Sequence, residues 1–196
     1  EIKTDGVDVI IAADSGMDFL YENGVTPDII VGDFDSATKT VLEYFEGRGQ
    51  TEIHRLNPVK DDTDTEYAIR LAIKHGARSI VVIGATGSRI DHVLGNISLL
   101  GIGLESGIDI RIIDANNRIR MADKPVTIGK SAQYGRFVSL IALTDDNEVS
   151  LKGFKYPVTD YSFDRFTSLG ISNEIVDDHA LIDIHRGKFI IIESKD

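Results

Sequence analysis

Two carboxylates one residue apart, Asp33 and Asp35 in DIIVGDFDS, follow directly on a β-branched run. In a turn after a buried strand both can face one cavity if Phe34 packs away from it. All-oxygen donors of this kind suit a hard cation such as Mg²⁺, which keeps several waters and needs only one or two protein carboxylates beside substrate phosphates. The same arrangement, a β-branched run ending in polar and acidic residues, recurs in VDVIIAADSG at Asp14, IHRLNPVKDDTD around Asp64 and IVVIGATGSRIDH at Arg89 and Asp91. In an open parallel sheet the carboxyl ends of the strands share one edge, and ligands bind in the crevice there. The four clusters are therefore expected to converge on a metal and phosphate site.

Each cluster also has a plainer explanation. Asp35 with Ser36 could simply cap the next helix; the recurrence of the pattern argues for a site. Asp61, Asp62 and Asp64 open the clearest helix, where acids interact favourably with the helix dipole. Lys60 next to three crowded carboxylates is not explained that way, since like charges repel unless a cation or ligand holds them. Asp61 and Asp64 are assigned to the site and Asp62 to solvent. The Gly84-Ala85-Thr86-Gly87-Ser88 loop lets backbone approach a phosphate at a helix start. It is neither a Walker A loop nor a dinucleotide fingerprint. Arg89 adds a permanently charged, forked phosphate donor. Asp91 and His92 either orient Arg89 or contact a nucleotide, with helix capping the plainer role for Asp91. The polar run Thr167–Glu174 reads from its residues as an ordinary loop.

These residues need a scaffold. Residues 1 to about 114 alternate β-branched runs with helical patterns, as stacked βαβ units do. Strands are expected at Val7–Ala13, Ile29–Gly32 and Ile80–Ile83, the last of a buried type. Helices are expected over the SGMDFLYENG segment to Gly24, Val41–Arg48, Thr63–His75 and from about Asp91 to Glu105. Thr63 and Glu66 fit a capping box. After Asp114 the chain turns strand-rich, and ALIDIH-RG-KFIIIE reads as a hairpin across Arg186-Gly187. The expected fold is an α/β N-terminal domain, 1–115, with a mainly parallel Rossmann-like sheet, followed by an all-β sandwich domain, 116–196.

Composition bounds the function. The chain has 196 residues, 42% hydrophobic, and a formal net charge of -11. An acidic chain lacks the basic face that nucleic acid or a membrane surface requires, so neither is expected as a partner. A polyphosphate ligand would need its charge offset by Mg²⁺ and a few Lys or Arg. There is no cysteine, which excludes disulfides and thiolate metal sites. No apolar run approaches a membrane span and no signal-peptide pattern opens the chain, so a cytoplasmic enzyme is expected. The first residue is Glu1, so the natural start is expected to lie upstream.

Taken together, ADSG at 13–16, PDIIVGDFDS at 27–36, KDDTDTEYA at 60–68, GATGSRIDHVLGNI at 84–97 and LGISNE at 169–174 resemble the thiamine pyrophosphokinases of bacteria, in family order over nearly the whole chain. The resemblance implies transfer of the diphosphate group of ATP to the hydroxyl of thiamine, giving thiamine diphosphate and AMP, with Mg²⁺ required. It implies that Asp33, Asp35 and Asp64 hold Mg²⁺, with Asp14 lining the same cavity. Lys60 and Arg89 would meet phosphate oxygens. Gly84, Thr86, Gly87 and Ser88, with Asp61, Asp91 and His92, would contact the nucleotide. Asp64 would also accept the hydroxyl proton. Homodimers with thiamine near the interface are implied, with Gly170, Ser172 and Asn173 contacting thiamine, the last two from the opposite subunit.

The chain departs from that family in two respects. A further strand and glycine-containing turn usual before Val7 are absent, and serine stands at 15 and 88 where glycine is frequent. The rival readings are a related pyrophosphokinase acting on a pterin alcohol, a haloacid-dehalogenase-like phosphohydrolase suggested by DFDSAT, and a nucleotide-sensing module without catalysis.

Overall fold

The structure, a computed structural model, describes residues 4–35, 37–57 and 62–196. The chain divides into two compact units, Glu1–Ala77 and Arg78–Asp196. In the first, β1 (Ile11–Ala13), β2 (Ile29–Gly32) and β3 (Glu52–Arg55) form a parallel sheet in that order. Three helices accompany it: α1 (Gly16–Glu22), α2 (Lys39–Arg48) and α3 (Asp64–Lys74). The period of two along a strand explains the layering. Ala12 and Ile30 pack with Met17, Leu20, Val41, Leu42 and Phe45 from α1 and α2. Ile11, Ala13, Ile29 and Val31 point the other way, to Leu71, Tyr67 and Ala68 of α3. Because both faces are covered, all four residues of β2 are buried, as in a central parallel strand.

Local signals set the boundaries. Thr63 caps α3, its hydroxyl accepting the Glu66 N–H at 3.2 Å. The Glu66 carboxylate turns to Arg70 instead of returning to the cap, its Oε1 accepting from Nε at 2.9 Å and Nη2 at 2.7 Å. The first strand is shorter than the expected Val7–Ala13. Just before Ile11 the chain is tied to the start of β2, with the Ile10 N–H donated to Asp28 Oδ2 at 2.7 Å, and Val7 and Val9 are exposed.

The second unit begins with β4 (Ser79–Ile83), α4 (Ile90–Ser106) and β5 (Asp109–Ile113), with β4 and β5 parallel. Then come β6 (Asn117–Ala122), β7 (Val126–Gly129), β8 (Phe137–Ala142), β9 (Glu148–Lys152), β10 (Val158–Tyr161), β11 (Asn173–Glu174), β12 (His179–Arg186) and β13 (Phe189–Ser194). They form a six-stranded sheet, β11-β8-β13-β6-β5-β4, and a four-stranded sheet, β10-β9-β12-β7. Among the described residues the last α-helix ends at Ser106, and a short 3-10 turn follows at Lys130–Ala132. By packing the units meet at residues 77 and 78, because β5 pairs antiparallel with β6 and so carries β4 and α4 with the later strands.

Two expectations need correction. The β4 strand is not of a buried type: Val81 and Ile83 are exposed, since among the described strands β4 pairs only with β5 and lies at the sheet edge. The segments flanking Arg186-Gly187 do not form a hairpin. β12 pairs with β7 and β9, whereas β13 pairs with β6 and β8 in the other sheet. Both strands bury alternate apolar residues in one cluster, Ala180, Ile182 and Ile184 from one sheet, Phe189 and Ile191 from the other. Gly187 makes the crossing at φ 88°. A Cβ there would lie 2.6 Å from Asn147 Cβ and 2.7 Å from Thr144 Oγ1.

Candidate active site

The acids sit at the carboxyl ends of β1 and β2 and at the start of α3. Asp14 follows β1 with φ 46°, and Phe34 follows β2 with φ 63°, a region non-glycine residues seldom occupy. Asp14 is pinned there: its N–H donates to Val31 O at 2.8 Å and its carbonyl accepts the Met17 N–H at 3.2 Å. Phe34 packs against the α1/α2 core and lies under Arg55, whose guanidinium carbon is 5.4 Å from the ring centroid. With the intervening ring turned away, the carboxylates of Asp33 and Asp35 come to one side, and the Asp35 N–H donates to Asp33 Oδ1 at 3.1 Å.

Asp14, Asp33 and Asp35 each place a carboxylate oxygen within 4.8 Å of the others. Burial pushes the Asp14 carboxyl above its ordinary pKa, and the charges of Asp64, Asp33 and Asp35 push the same way against a hydrogen bond from the Ser15 backbone. Asp14 Oδ1 is buried and has no hydrogen-bond partner among the described residues. A buried carboxylate oxygen left unanswered is costly, and a cation beside the trio would relieve it. The donor set, oxygen only and anionic, fits Mg²⁺. Asp64 lies close enough to raise the Asp14 pKa but is outside the convergent trio. Lys60, Asp61 and Ser36 lie outside the described residues, and Asp62 is exposed.

The resemblance implies Asp33, Asp35 and Asp64 as ligands with Asp14 lining the cavity; the geometry groups Asp14 with Asp33 and Asp35. Asp18 was not singled out. It stands in the first turn of α1, accepts the Thr38 N–H on Oδ2 at 3.3 Å and leaves Oδ1 buried without a partner. An acid one helical turn after Asp14 was the available signal.

In the second unit Gly84 adopts φ 74°. The loop it opens is tied down at two points: Asn96 Nδ2 donates to Ala85 O at 3.0 Å, and the Thr86 side chain bonds the Asp114 carboxylate. Arg89 is the N-cap residue of α4 without a capping side chain. Its Nε and Nη2 donate to Asp91 Oδ1 and Oδ2 at 3.2 and 2.6 Å. The Arg89 guanidinium, then the His92 N–H at 2.9 Å, hold the Asp91 carboxyl down to about 2. Asp91 thus both orients Arg89 and satisfies a helix-start N–H. Gly87, Ser88 and His92 are exposed beside them.

Of the later residues, Gly170 meets β8 so closely that a Cβ would collide with Leu140 O, and its own carbonyl accepts the Leu140 N–H at 2.9 Å. Ser172, at φ 61°, donates its N–H to Ser139 Oγ at 3.0 Å and is exposed. Asn173 is buried, and its amide is bonded to both backbone groups of Tyr156 at 3.0 and 2.9 Å and to the Glu174 N–H at 2.9 Å.

Residues 3–112 match the family model described as thiamin pyrophosphokinase, catalytic domain, and residues 125–189 match thiamin pyrophosphokinase, vitamin B1 binding domain. A thiamine pyrophosphokinase of Bacillus subtilis (strain 168) is 34% identical over 194 residues, 98% of this chain and 90% of the relative. The crystal structure of thiamine pyrophosphokinase from Bacillus subtilis superposes with a TM-score of 0.87 at 33% identity, over 95% of this chain and 87% of that one. A thiamin pyrophosphokinase family protein from Enterococcus faecalis also gives 0.87, at 29% identity, covering 100% of this chain and 92% of that one.

Proposed function

This chain belongs to the thiamin pyrophosphokinase family, and we propose that the carboxylates at the ends of β1 and β2 carry its reaction. The chain transfers the diphosphate group of ATP to the hydroxyl of thiamine, giving thiamine diphosphate and AMP. Family membership favours this over the pterin-alcohol and phosphohydrolase readings. In the proposed division of labour, 1–115 is a Rossmann-like catalytic part and 116–196 a sandwich that takes thiamine. The extents of the two family matches, 3–112 and 125–189, support that division.

The observation that carries the reading is the convergence of the Asp14, Asp33 and Asp35 carboxylates, with Asp14 Oδ1 buried and unanswered among the described residues. Asp14, Asp33 and Asp35 would hold Mg²⁺, with Asp64 beside them. When bound, the ion offsets the charge of the transferring diphosphoryl group. The chain's own residues do the remainder. Asp64 accepts the proton of the thiamine hydroxyl as that oxygen attacks the β-phosphorus, and AMP leaves. Arg89, its fork oriented by Asp91, donates to phosphate oxygens, and Lys60 does the same. Gly84, Thr86, Gly87, Ser88, Asp61 and His92 contact the nucleotide. Such transfer is positioning plus stabilisation of spread negative charge, which matches a site of pinned backbone and fixed charges.

Thiamine is assigned to the Gly170–Asn173 segment in a homodimer, near the interface. Ser172 is exposed there; Asn173, held by Tyr156, shapes the segment. A cytoplasmic setting accompanies this reading, and no helix among the described residues is long and apolar enough to cross a membrane. The test is incubation with ATP, Mg²⁺ and thiamine or a pterin alcohol, with products resolved by mass. AMP and thiamine diphosphate are expected, from thiamine only. Asp64→Ala should abolish AMP formation with the fold intact; near-normal turnover in that variant would sink the proton-acceptor role.

A further inference from the structure

A second charged centre lies in the β-rich unit, built from residues given no role above. Antiparallel pairing sets Arg111 of β5 directly opposite Arg120 of β6. The row continues through Ile191 of β13 to Leu140 of β8, both buried in the core shared by the two sheets. Alternation sends Ile110, Ile112 and Ile119 to the other face, where Ile110 meets Gly103 of α4. Arg111, Arg118 and Arg120 therefore stand on the inner face of the six-stranded sheet, around an open cavity of about 210 Å³ also lined by Thr127, Gly129 and Ala132.

Each arginine has an acidic partner, yet not every donor is answered. Glu193, fully buried, accepts from Arg118 Nε at 2.8 Å and Nη2 at 2.6 Å, and from the Tyr134 N–H at 2.9 Å. Arg120 is held to Glu193 only as an ion pair, its Nη2 3.6 Å from Oε1 and outside hydrogen-bond range. Arg111 bonds Asp109 through Nη2. The Nε atoms of Arg111 and Arg120 are buried with no hydrogen-bond partner among the described residues. Like charges directly opposite in a sheet are destabilising, and a buried charged donor without an acceptor costs more still. Burial, then the neighbouring Arg111, lowers the Arg120 pKa. An aliphatic residue at 120 would extend the Ile191–Leu140 row without these costs.

We infer that the cavity between β5, β6 and β7 is an anion site for the phosphoryl group of a small molecule, bound by the guanidinium groups of Arg111 and Arg120 that line it. A phosphoryl group suits it because its several oxygens can answer two guanidinium groups at once. The cavity is below the usual size of sites that enclose a whole drug-sized ligand, so it takes a free phosphate or one end of a longer molecule. This site does not depend on the function proposed for the acid cluster.

The test is calorimetric titration of the full chain with inorganic phosphate, in EDTA and at low ionic strength. Saturable binding is expected, weakened about tenfold or more by Arg111→Gln, the loss of one charge-assisted hydrogen bond. Arg120→Gln should weaken it equally; if that variant does not fold, Arg111, half-exposed, carries the test alone. AMP and thiamine diphosphate are then titrated as competitors. Displacement by either names the source of the phosphoryl group, and displacement by neither assigns the site to free phosphate. No saturable binding in the unaltered chain, or equal affinity in Arg111→Gln, overturns the site. In phosphate-free buffer Arg111→Gln should form AMP at the unaltered rate. A rate loss matching the affinity loss would put Arg111 in the reaction itself and overturn a separate site.

Discussion

A Cβ on Gly32 would lie 3.2 Å from the Cα of Asp14, tighter than ordinary side-chain contacts, and equally close to the Phe34 ring. The glycine that ends β2 is thus what lets Asp14 come up against the strand carrying Asp33. Gly32→Ala should push Asp14 and Phe34 apart. Misplacement by about 1 Å can cost ~10²-fold in rate, whereas overpacking costs about 1–3 kcal/mol. Loss of AMP formation beyond the loss of folded protein, read by turnover and thermal denaturation together, is the expected result.

Asp14→Asn removes a carboxylate that burial and three neighbouring acids disfavour. In EDTA at pH 7 the variant should be more stable than the unaltered chain. Mg²⁺ should reverse the order. A ligand at 100 times its Kd stabilises the folded state by about 2.7 kcal/mol, and Asp14→Asn should lose that increment. Thermal melts with and without Mg²⁺ read both signs.

Glu174 links β11 to Arg136 and Lys155. Arg136 first, then Lys155, bring its carboxyl down to about 2 from an ordinary 4.5. With the folded pKa depressed, the contribution to stability is present above about 4.5 and is lost as pH falls towards 2. Glu174→Gln should flatten the acid limb of a denaturation profile in that window and leave its neutral slope unchanged.

Gly187→Ala should destabilise without touching the chemistry. It meets Asn147 and Thr144 at sub-contact distance and needs φ 88°. A loss of about 1–3 kcal/mol is expected, measured by denaturant unfolding, with turnover per folded molecule unchanged.

That glycine also marks where sequence reasoning reached its end. ALIDIH and KFIIIE have the same alternation and a turn dipeptide between them, which is all a hairpin shows in sequence. Whether two such strands pair or face each other across a core depends on what the turn packs against, here Thr144 and Asn147, more than 40 and about 40 residues earlier. Strand ends were more legible. Asp33 and Asp35 could be paired because spacing of two puts them on one side once Phe34 turns inward, and the α3 cap at Thr63 was explicit. The positive φ of Asp14 and Phe34 was not readable, since nothing in their residue types demands it. Nor was the meeting of Arg111 and Arg120, which depends on the register of β5 against β6.

The central claim is that the acid trio supports diphosphoryl transfer to thiamine, and Asp33→Asn tests it most directly. With ATP, thiamine and saturating Mg²⁺, products are followed by mass for this variant and the unaltered chain, both shown to be folded. The account predicts AMP and thiamine diphosphate from the unaltered chain and a fall of roughly 10²–10³-fold in the variant. Comparable product from both proteins would contradict it.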